Sequence, residues 1–326
     1  MLLKTAKWLI GATATLLPLA AQAQDMTPDA SRILSDPNYL PLDGQLWGYT
    51  NYFHTWSNGA TFNSLGSQAS TFHSDINDIN QFIGYGITDD LMIDASIGYE
   101  PNASRNVQVA NGSVETLQRS GFSDPTFGAT YRLLDQAASP VTLDVFGSYS
   151  PDWITSKTAT ATAGGNFANG GQAGEIGAAL AEETRSITLR GAFAANFLGD
   201  RQIDDAVTGD VFDQGGHTNY ILSLATQTRL SDQISFNAGV THIFASNSNY
   251  TDTLKNRTST IHPGDDTVLD LAVNYQFVPD IVVGSVIYRH GITGDNATVY
   301  TNPVADRTVA DQYRNLIGVQ LDYAFP

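Results

Sequence analysis

Ten ionisable side chains fall on the polar side of stretches that alternate polar and apolar residues: Asp94, Glu100, Arg132, Asp144, Glu175, Arg190, Arg229, Asp270, Arg314 and Asp322, with Gln320 beside the last. Both charge signs occur, so two kinds of chemistry are open. Charges converging on a wet interior can screen a passing solute. They can equally pair with one another and tie neighbouring strands, since an isolated charge away from bulk water is costly. Asp94, Arg132 and Asp144 lie on three consecutive alternating stretches, with Arg190 and Asp322 at comparable depth. Arg289 joins them only if Val282, Val286 and Tyr288 face the other way. His242 falls on an apolar face and reads as a neutral histidine at a boundary.

Catalytic constellations are harder to find. None of His54, His73, His217, His242 and His290 is followed two residues on by a serine, as an exterior phospholipase site requires. His217 with Asp210 and Asp213 is a nonspecific His–Asp pairing. Five aspartates between Asp200 and Asp213 lack the spacing of a calcium loop. There is no zinc spacing, phosphate loop or nucleotide fingerprint. The expectation is a protein with no catalytic, metal or cofactor site.

The elements that position these charges are clearest in Gly121–Pro151. Phe127, Ala129, Tyr131 and Leu133 alternate with Thr126, Gly128, Thr130 and Arg132; after Asp135–Pro140, Val141, Leu143, Val145, Gly147 and Tyr149 alternate with Thr142, Asp144, Phe146, Ser148 and Ser150. Period-two alternation across a short polar turn specifies an antiparallel hairpin with one apolar face. The runs Gly121-Phe122-Ser123-Asp124-Pro125 and Gly128-Ala129-Thr130-Tyr131-Arg132-Leu133-Leu134 resemble a family of Gram-negative outer-membrane transporters, the "MetA pathway of phenol degradation" type. That resemblance implies a single β-barrel, hints at small aromatic or hydrophobic solutes, and carries over no catalytic residue. The chain departs from it at Ser150-Pro151-Asp152, where the family often has a Pro-Thr-Gly-like strand end.

Lys4 and Lys7, the apolar run Trp8–Leu19 and Ala21-Gln22-Ala23 have the form of a cleaved signal peptide over residues 1–23. Its removal takes away two lysines and no acid, leaving 14 basic and 33 acidic residues, a net charge of −19 against −17 for the whole chain. No cysteine is present, so no lipoprotein anchor or disulfide is expected. The acidity argues against nucleic-acid binding, which needs a basic patch. It suits a surface among anionic lipid and lipopolysaccharide heads bridged by divalent cations, or simply a soluble one. Residues 24–43 lack alternation and carry three prolines; they form an extension that lies in the lumen as a plug or hangs in the periplasm.

Residues 44–326 then read as twelve strands, at about 45–56, 78–87, 91–100, 126–133, 141–150, 172–181, 186–198, 217–230, 234–244, 266–277, 281–290 and 312–325. The aromatics of the first, Trp47, Tyr49, Tyr52, Phe53 and Trp56, suggest an interfacial girdle. Short turns alternate with long polar loops. No apolar run is long enough for a spanning helix, so membrane insertion requires a closed barrel. Together these predict an all-β, transmembrane, antiparallel up-and-down barrel with short periplasmic turns and long external loops, located in the outer membrane. Ile317, Val319, Leu321, Tyr323 and Phe325 alternate to the C-terminus in the manner of a signal for the barrel-assembly machinery, with Pro326 displacing the aromatic from the last position. The expected function is a channel for small-molecule solutes, gated by the lumen charges and by the Gly/Ala-rich loop Asp152–Gly171. The alternatives are a barrel without transport that binds a surface partner, and a secreted β-sandwich.

Overall fold

The computed structural model describes residues 34–109, 112–159, 163–168, 170–205, 211–252, 257–300 and 306–325. The proposed signal peptide and the first ten residues of the extension lie outside them, as does Pro326. Twelve antiparallel staves close into one ring. In order around the wall they are β1 (Leu46–Asn63), β2 (Gln68–Thr88), β3 (Leu91–Val109), a broken stave of β4 (Val114–Phe122) and β5 (Thr126–Leu134), β6 (Thr142–Ser150), β8 (Gly171–Glu183), β9 (Ile187–Asp205), β11 (His217–Arg229), β12 (Ile234–Phe244), β15 (Asp266–Val278), β16 (Val282–Thr293) and β18 (Arg307–Phe325). Closure is by β18 on β1, paired from Leu46↔Phe325 to Asn63↔Arg307 with one register shift between Asn58 and Ala60. A closed ring satisfies every ladder hydrogen bond and leaves no edge.

Alternation decides which residues face where. Ile93, Ile97 and Tyr99 on β3, Phe127 and Tyr131 on β5, and Ile317, Val319 and Leu321 on β18 are exposed on the outer wall, while Met92, Glu100, Arg132 and Asp322 are buried inside. The wall is thus apolar outside and polar inside, the inverse of a soluble sandwich. One short turn at the sealed end is β15–β16, where Asp280 adopts φ +59°. Asp tolerates this left-handed conformation, and Pro279 before it stops the strand.

The girdle expected of the first strand divides between the two faces. Tyr52 is exposed on the outer wall, whereas Phe53 is buried, and Trp47 and Tyr49 pack with Phe82 of β2 inside the lumen. The long external segments also carry more structure than expected. Residues 101–109 and 114–120 extend β3 and β4 as a paired ladder, and β7 (Ser156–Thr158), β10 (Val211–Gln214), β13 (Ser248–Asp252), β14 (Arg257–His262) and β17 (Asn296–Tyr300) form an upper tier. There β9, β10, β13, β14, β17 and β18 pair in turn. The residues these pieces bury are polar, among them Ser156, Gln214, Ser248, Asp252 and Ser259, so no apolar face is required and the period-two signal vanishes.

The broken stave has a clear local cause. Ser123 bonds Gly98 across β3 through both its amide and its hydroxyl, each at 2.9 Å. The buried Asp124 turns away and accepts the amides of Trp153 and Ile154 at 2.9 and 2.8 Å. Pro125 has no amide to continue the ladder. The motif that carries the family resemblance is therefore the break between β4 and β5.

Candidate functional site: the charged and aromatic lumen

At the periplasmic end, Arg132 and Asp144 oppose one another in the β5–β6 register. Arg132 Nε and Nη2 bond the two carboxylate oxygens at 2.9 and 3.2 Å, and Nη2 also donates to the carbonyl of Asn38 at 2.9 Å. Asn38 belongs to the described part of the N-terminal extension, which crosses this mouth. Ser35 accepts Asn237 Nδ2 at its carbonyl (2.9 Å) and Gln227 Nε2 at its hydroxyl (3.2 Å). Asp36 accepts the Thr188 hydroxyl at 2.6 Å and the Asn38 amide at 2.8 Å. Leu34 packs on Val283 and Ala324, and Tyr39 packs on Trp47 at 5.1 Å between ring centroids. Residues 34–41 are thereby anchored to β5, β9, β11, β12 and β16. Burial pushes the Asp36 carboxyl above its ordinary range, against the opposing pull of Thr188, the Asn38 amide, Arg229 and Arg132.

Further along the wall, Tyr49 stacks on Phe82 at 4.9 Å with ring planes 5° apart. Tyr49 lies in the field of Asp94 and Asp322, so these two acids of the expected ring sit beside an aromatic rather than beside Arg132. Asp322, 1% exposed, accepts Gln320 Nε2 at 2.9 Å through one oxygen; the other has no partner among the described residues. Arg190 lies in the field of Asp144 and Arg132, and Glu175 bonds Asn196 across β8–β9. Arg229 faces inward beside Asp36. The five residues expected at one depth thus split into an Arg132–Asp144–Arg190 group and two separate acids, Asp94 and Asp322, near Tyr49.

The external half of the lumen holds a cavity of about 540 Å³. Its charged lining residues are Asp78, Glu100, Arg119, Asp270, Arg289 and Arg314, and its apolar ones include Ile76, Phe167, Ile243, Val268 and Leu316. Every arginine here is paired. Arg119 reaches Glu100 at 2.9 Å, Arg289 bonds Asp270 on the adjacent strand, and Arg314 bonds Asp266. The last pair reaches across β16, possible because Gly291 lies between: a Cβ there would come within 2.8 Å of Arg314 Nε. Gly318 plays the same part on β18, where a Cβ would lie 2.0 Å from Phe53 Cδ1. With Gly318 bare, Phe53 of β1 and Arg289 of β16 meet across the intervening strand, guanidinium to ring centroid 5.9 Å. Phe167, from the Gly/Ala-rich loop, enters the cavity under Arg119, 5.5 Å from guanidinium to ring centroid.

Sequence reasoning singled out Asp94, Glu100, Arg132, Asp144, Glu175, Arg190, Arg229, Asp270, Arg314 and Asp322 as constriction candidates; in the structure each lies on the inward side of its strand. It left Arg289 open, and the structure turns it inward. It missed Arg119 and Asp266, which lie in stretches read as loop or strand end, and Asp78, whose side of β2 it did not assign. His242 stands on the outer face, bonded to Thr267 at 2.8 Å. Asp210 lies outside the described residues, and among those described no three potential ligands converge as a metal site.

No family model matches the chain, and no curated protein does. Among solved structures, an outer-membrane channel of Pseudomonas putida F1 superposes with a TM-score of 0.56 at 14% identity, over 93% of this chain and all of that one. A TodX monoaromatic hydrocarbon channel mutant gives 0.46 at 11% identity, over 90% and 94%. A FadL homologue of Pseudomonas aeruginosa gives 0.45 at 10%, over 86% and 90%. The first of these establishes the fold as an outer-membrane β-barrel.

Proposed function

We propose that the chain is an outer-membrane channel through which small, uncharged or amphipathic molecules diffuse. The observation that carries this reading is the lumen cavity, set between the Phe167 loop and the Leu34–Pro41 segment, with apolar surface and arginines that are each already neutralised. Paired charges present hydrogen-bonding edges and leave Asp78 as the lining acid without an arginine bonded to it, which favours a molecule with both polar and apolar parts over a free anion. Phe167 forms the external constriction, and residues 34–43 act as the periplasmic plug. The outward alternation of Ile317 to Phe325 supports recognition by the barrel-assembly machinery, and the apolar outer wall supports residence among outer-membrane lipid and lipopolysaccharide.

The first test is the gel mobility of membrane-extracted protein with and without boiling; a folded barrel runs differently unboiled. The second is permeation of small uncharged solutes into proteoliposomes, alongside ion conductance in planar bilayers. Phe167→Ala is expected to raise both without changing the heat transition. A barrel that admits neither solute nor ion in wild type, in Phe167→Ala or after deletion of residues 24–43 is a structural or surface-interaction barrel, and the channel reading is wrong.

A further inference from the structure

On the external side of Phe167 lies a second cavity of about 440 Å³, which shares Ile76, Arg119 and Phe167 with the first. Its charges are of another kind. Arg105 and Arg119 of the β3–β4 extension, Lys157 of β7 and Arg201 of β9 line it, and among the described residues no acid does. The chain has 16 basic residues against 33 acidic ones, so four cations around one acid-free cavity run against its composition. Register explains part of the gathering. Arg119 pairs with Ala103 and Leu117 with Arg105, which puts these residues on the inner face of the extension. The next acid on that face, Glu115 opposite Val107, does not line the cavity.

Each arginine is oriented by something other than an acid of this cavity. The Arg105 guanidinium lies over the Phe72 ring, 3.9 Å from its centroid. Arg201 Nε donates to Gln214 Oε1 at 2.6 Å, and the buried Gln214 donates in turn to Ser248 Oγ at 2.8 Å. Arg119 stands over Phe167 and reaches Glu100, which lines the inner cavity instead. Arg105 and Arg201 thus meet no acid among the described residues, and Arg105 lies in the field of the like charge of Arg119. A guanidinium carries several donor hydrogens, so these contacts leave bonding edges on both. The facing loop is strapped in place. The Gly165 amide donates to the Gln118 carbonyl at 2.8 Å, and its carbonyl accepts the Ser120 amide at 3.3 Å. Asn166 accepts the Lys157 amide at 2.8 Å and donates to the Thr155 carbonyl at 2.7 Å.

We propose that this vestibule binds the carboxylate of a small amphipathic molecule among its arginines, with the apolar body of that molecule against Ile76, Leu117 and Phe167. A cleft lined by one sign of charge concentrates the opposite sign. A planar carboxylate takes paired N–H donors from a guanidinium. The apolar lining of the same cavity selects against an ion that is polar all round. The inner cavity does not compete for the carboxylate, because its arginines are already paired and Asp78 is not. The inference deepens the channel reading and rests on it for the onward path of the molecule, whereas binding itself needs no open pore.

The test uses the full mature barrel in phosphatidylcholine nanodiscs. Fluorobenzoate and its neutral isostere fluorobenzamide are titrated and followed by fluorine NMR, against empty nanodiscs. Wild type is expected to bind fluorobenzoate about ten-fold more tightly, the worth of one charge-assisted hydrogen bond. In Arg105→Gln/Arg201→Gln the side chains can still donate but carry no charge, and the preference is expected to vanish. Arg105→Lys/Arg201→Lys keeps the charge and is expected to keep most of the preference. The heat-dependent gel shift checks that each variant is a folded barrel. Equal affinity of wild type for the two probes, or an unchanged preference in the Gln variant, overturns the proposal. Inorganic phosphate that displaces fluorobenzoate at equal concentration overturns it too, since a free anion needs no apolar lining. Permeation of uncharged solutes is expected to be unaltered in the Gln variant, so failure of this inference and failure of the channel reading are seen in different measurements.

Discussion

Arg132→Met separates the two jobs of one guanidinium. Arg132 closes a buried pair with Asp144 through two hydrogen bonds, and it holds the N-terminal segment proposed as the plug by its bond to the Asn38 carbonyl. Removing it leaves Asp144, 4% exposed, as an uncompensated buried charge, which costs about 3–5 kcal/mol of barrel stability. Loss of the plug tether, a charge-assisted bond of about 1.5–3 kcal/mol, shifts the docked–undocked balance by roughly 10- to 150-fold. Arg132→Met/Asp144→Leu replaces the pair by apolar residues of similar volume, so the wall regains most of its stability while the tether stays lost. The midpoint of the heat-dependent gel shift reports the wall, and open probability in planar bilayers reports the plug. The single variant is expected to melt lower and open more, and the double variant to melt near wild type and still open more. A double variant as closed as wild type would refute the tether and assign the single variant's opening to a distorted wall.

Docking of the plug is also expected to depend on pH through Asp36. Its carboxyl titrates above the ordinary value when docked, so docking is strongest in acid and weakens as pH rises from that ordinary value through the raised one. Conductance should climb over this window, and Asp36→Asn should flatten it. At Gly318 the added Cβ of Gly318→Ala would lie 2.0 Å from Phe53; overpacking of about 1–3 kcal/mol should lower the heat-transition midpoint, with partial recovery in Gly318→Ala/Phe53→Leu. Gln81 faces outward from β2 and bonds Thr50, the Tyr323 hydroxyl and two backbone carbonyls around the closing strand. Gln81→Leu is expected to lower the same midpoint by severing them, and an unchanged midpoint would show the knot to be dispensable.

The barrel was legible because its membrane-facing half obeys a single rule. Ile93, Ile97 and Tyr99 must alternate with Asp94, Gly98 and Glu100 for the wall to be apolar outside and wet inside, so strand, face and lumen residue all follow from period two. Above the belt that rule lapses, and the extensions of β2, β3, β9 and β18 leave no signal. The faces of β1 were misread for a related reason. Trp47 and Tyr49 pack against Tyr39, Phe82 and one another inside the lumen, and Phe53 meets Arg289 there, so hydrophobicity alone does not assign them. Pairing was less legible still. Alternation gives a residue's face and approximate height but not its neighbour across a glycine, and Gly291 and Gly318 are what bring Arg314 to Asp266 and Phe53 to Arg289.

Those two glycines also connect the lumen to the outer wall. Phe53 and Arg289 sit at the centre of Tyr52-Phe53-His54 and Tyr288-Arg289-His290, whose outer residues bond Asn77 and Asn315. The contact that Gly318 permits inside thus fixes the backbone that carries those residues outside. Successive side chains on a strand point to opposite faces, and a shift that breaks the inner contact must also move the outer side chains. Gly318→Ala is therefore expected to alter two readouts together, the heat transition and the NMR signals of the His54 and His290 rings. If Gly318→Ala lowers the transition and leaves those signals as in wild type, the inner contact and the outer side chains are independent, and the coupling across the wall is disproved.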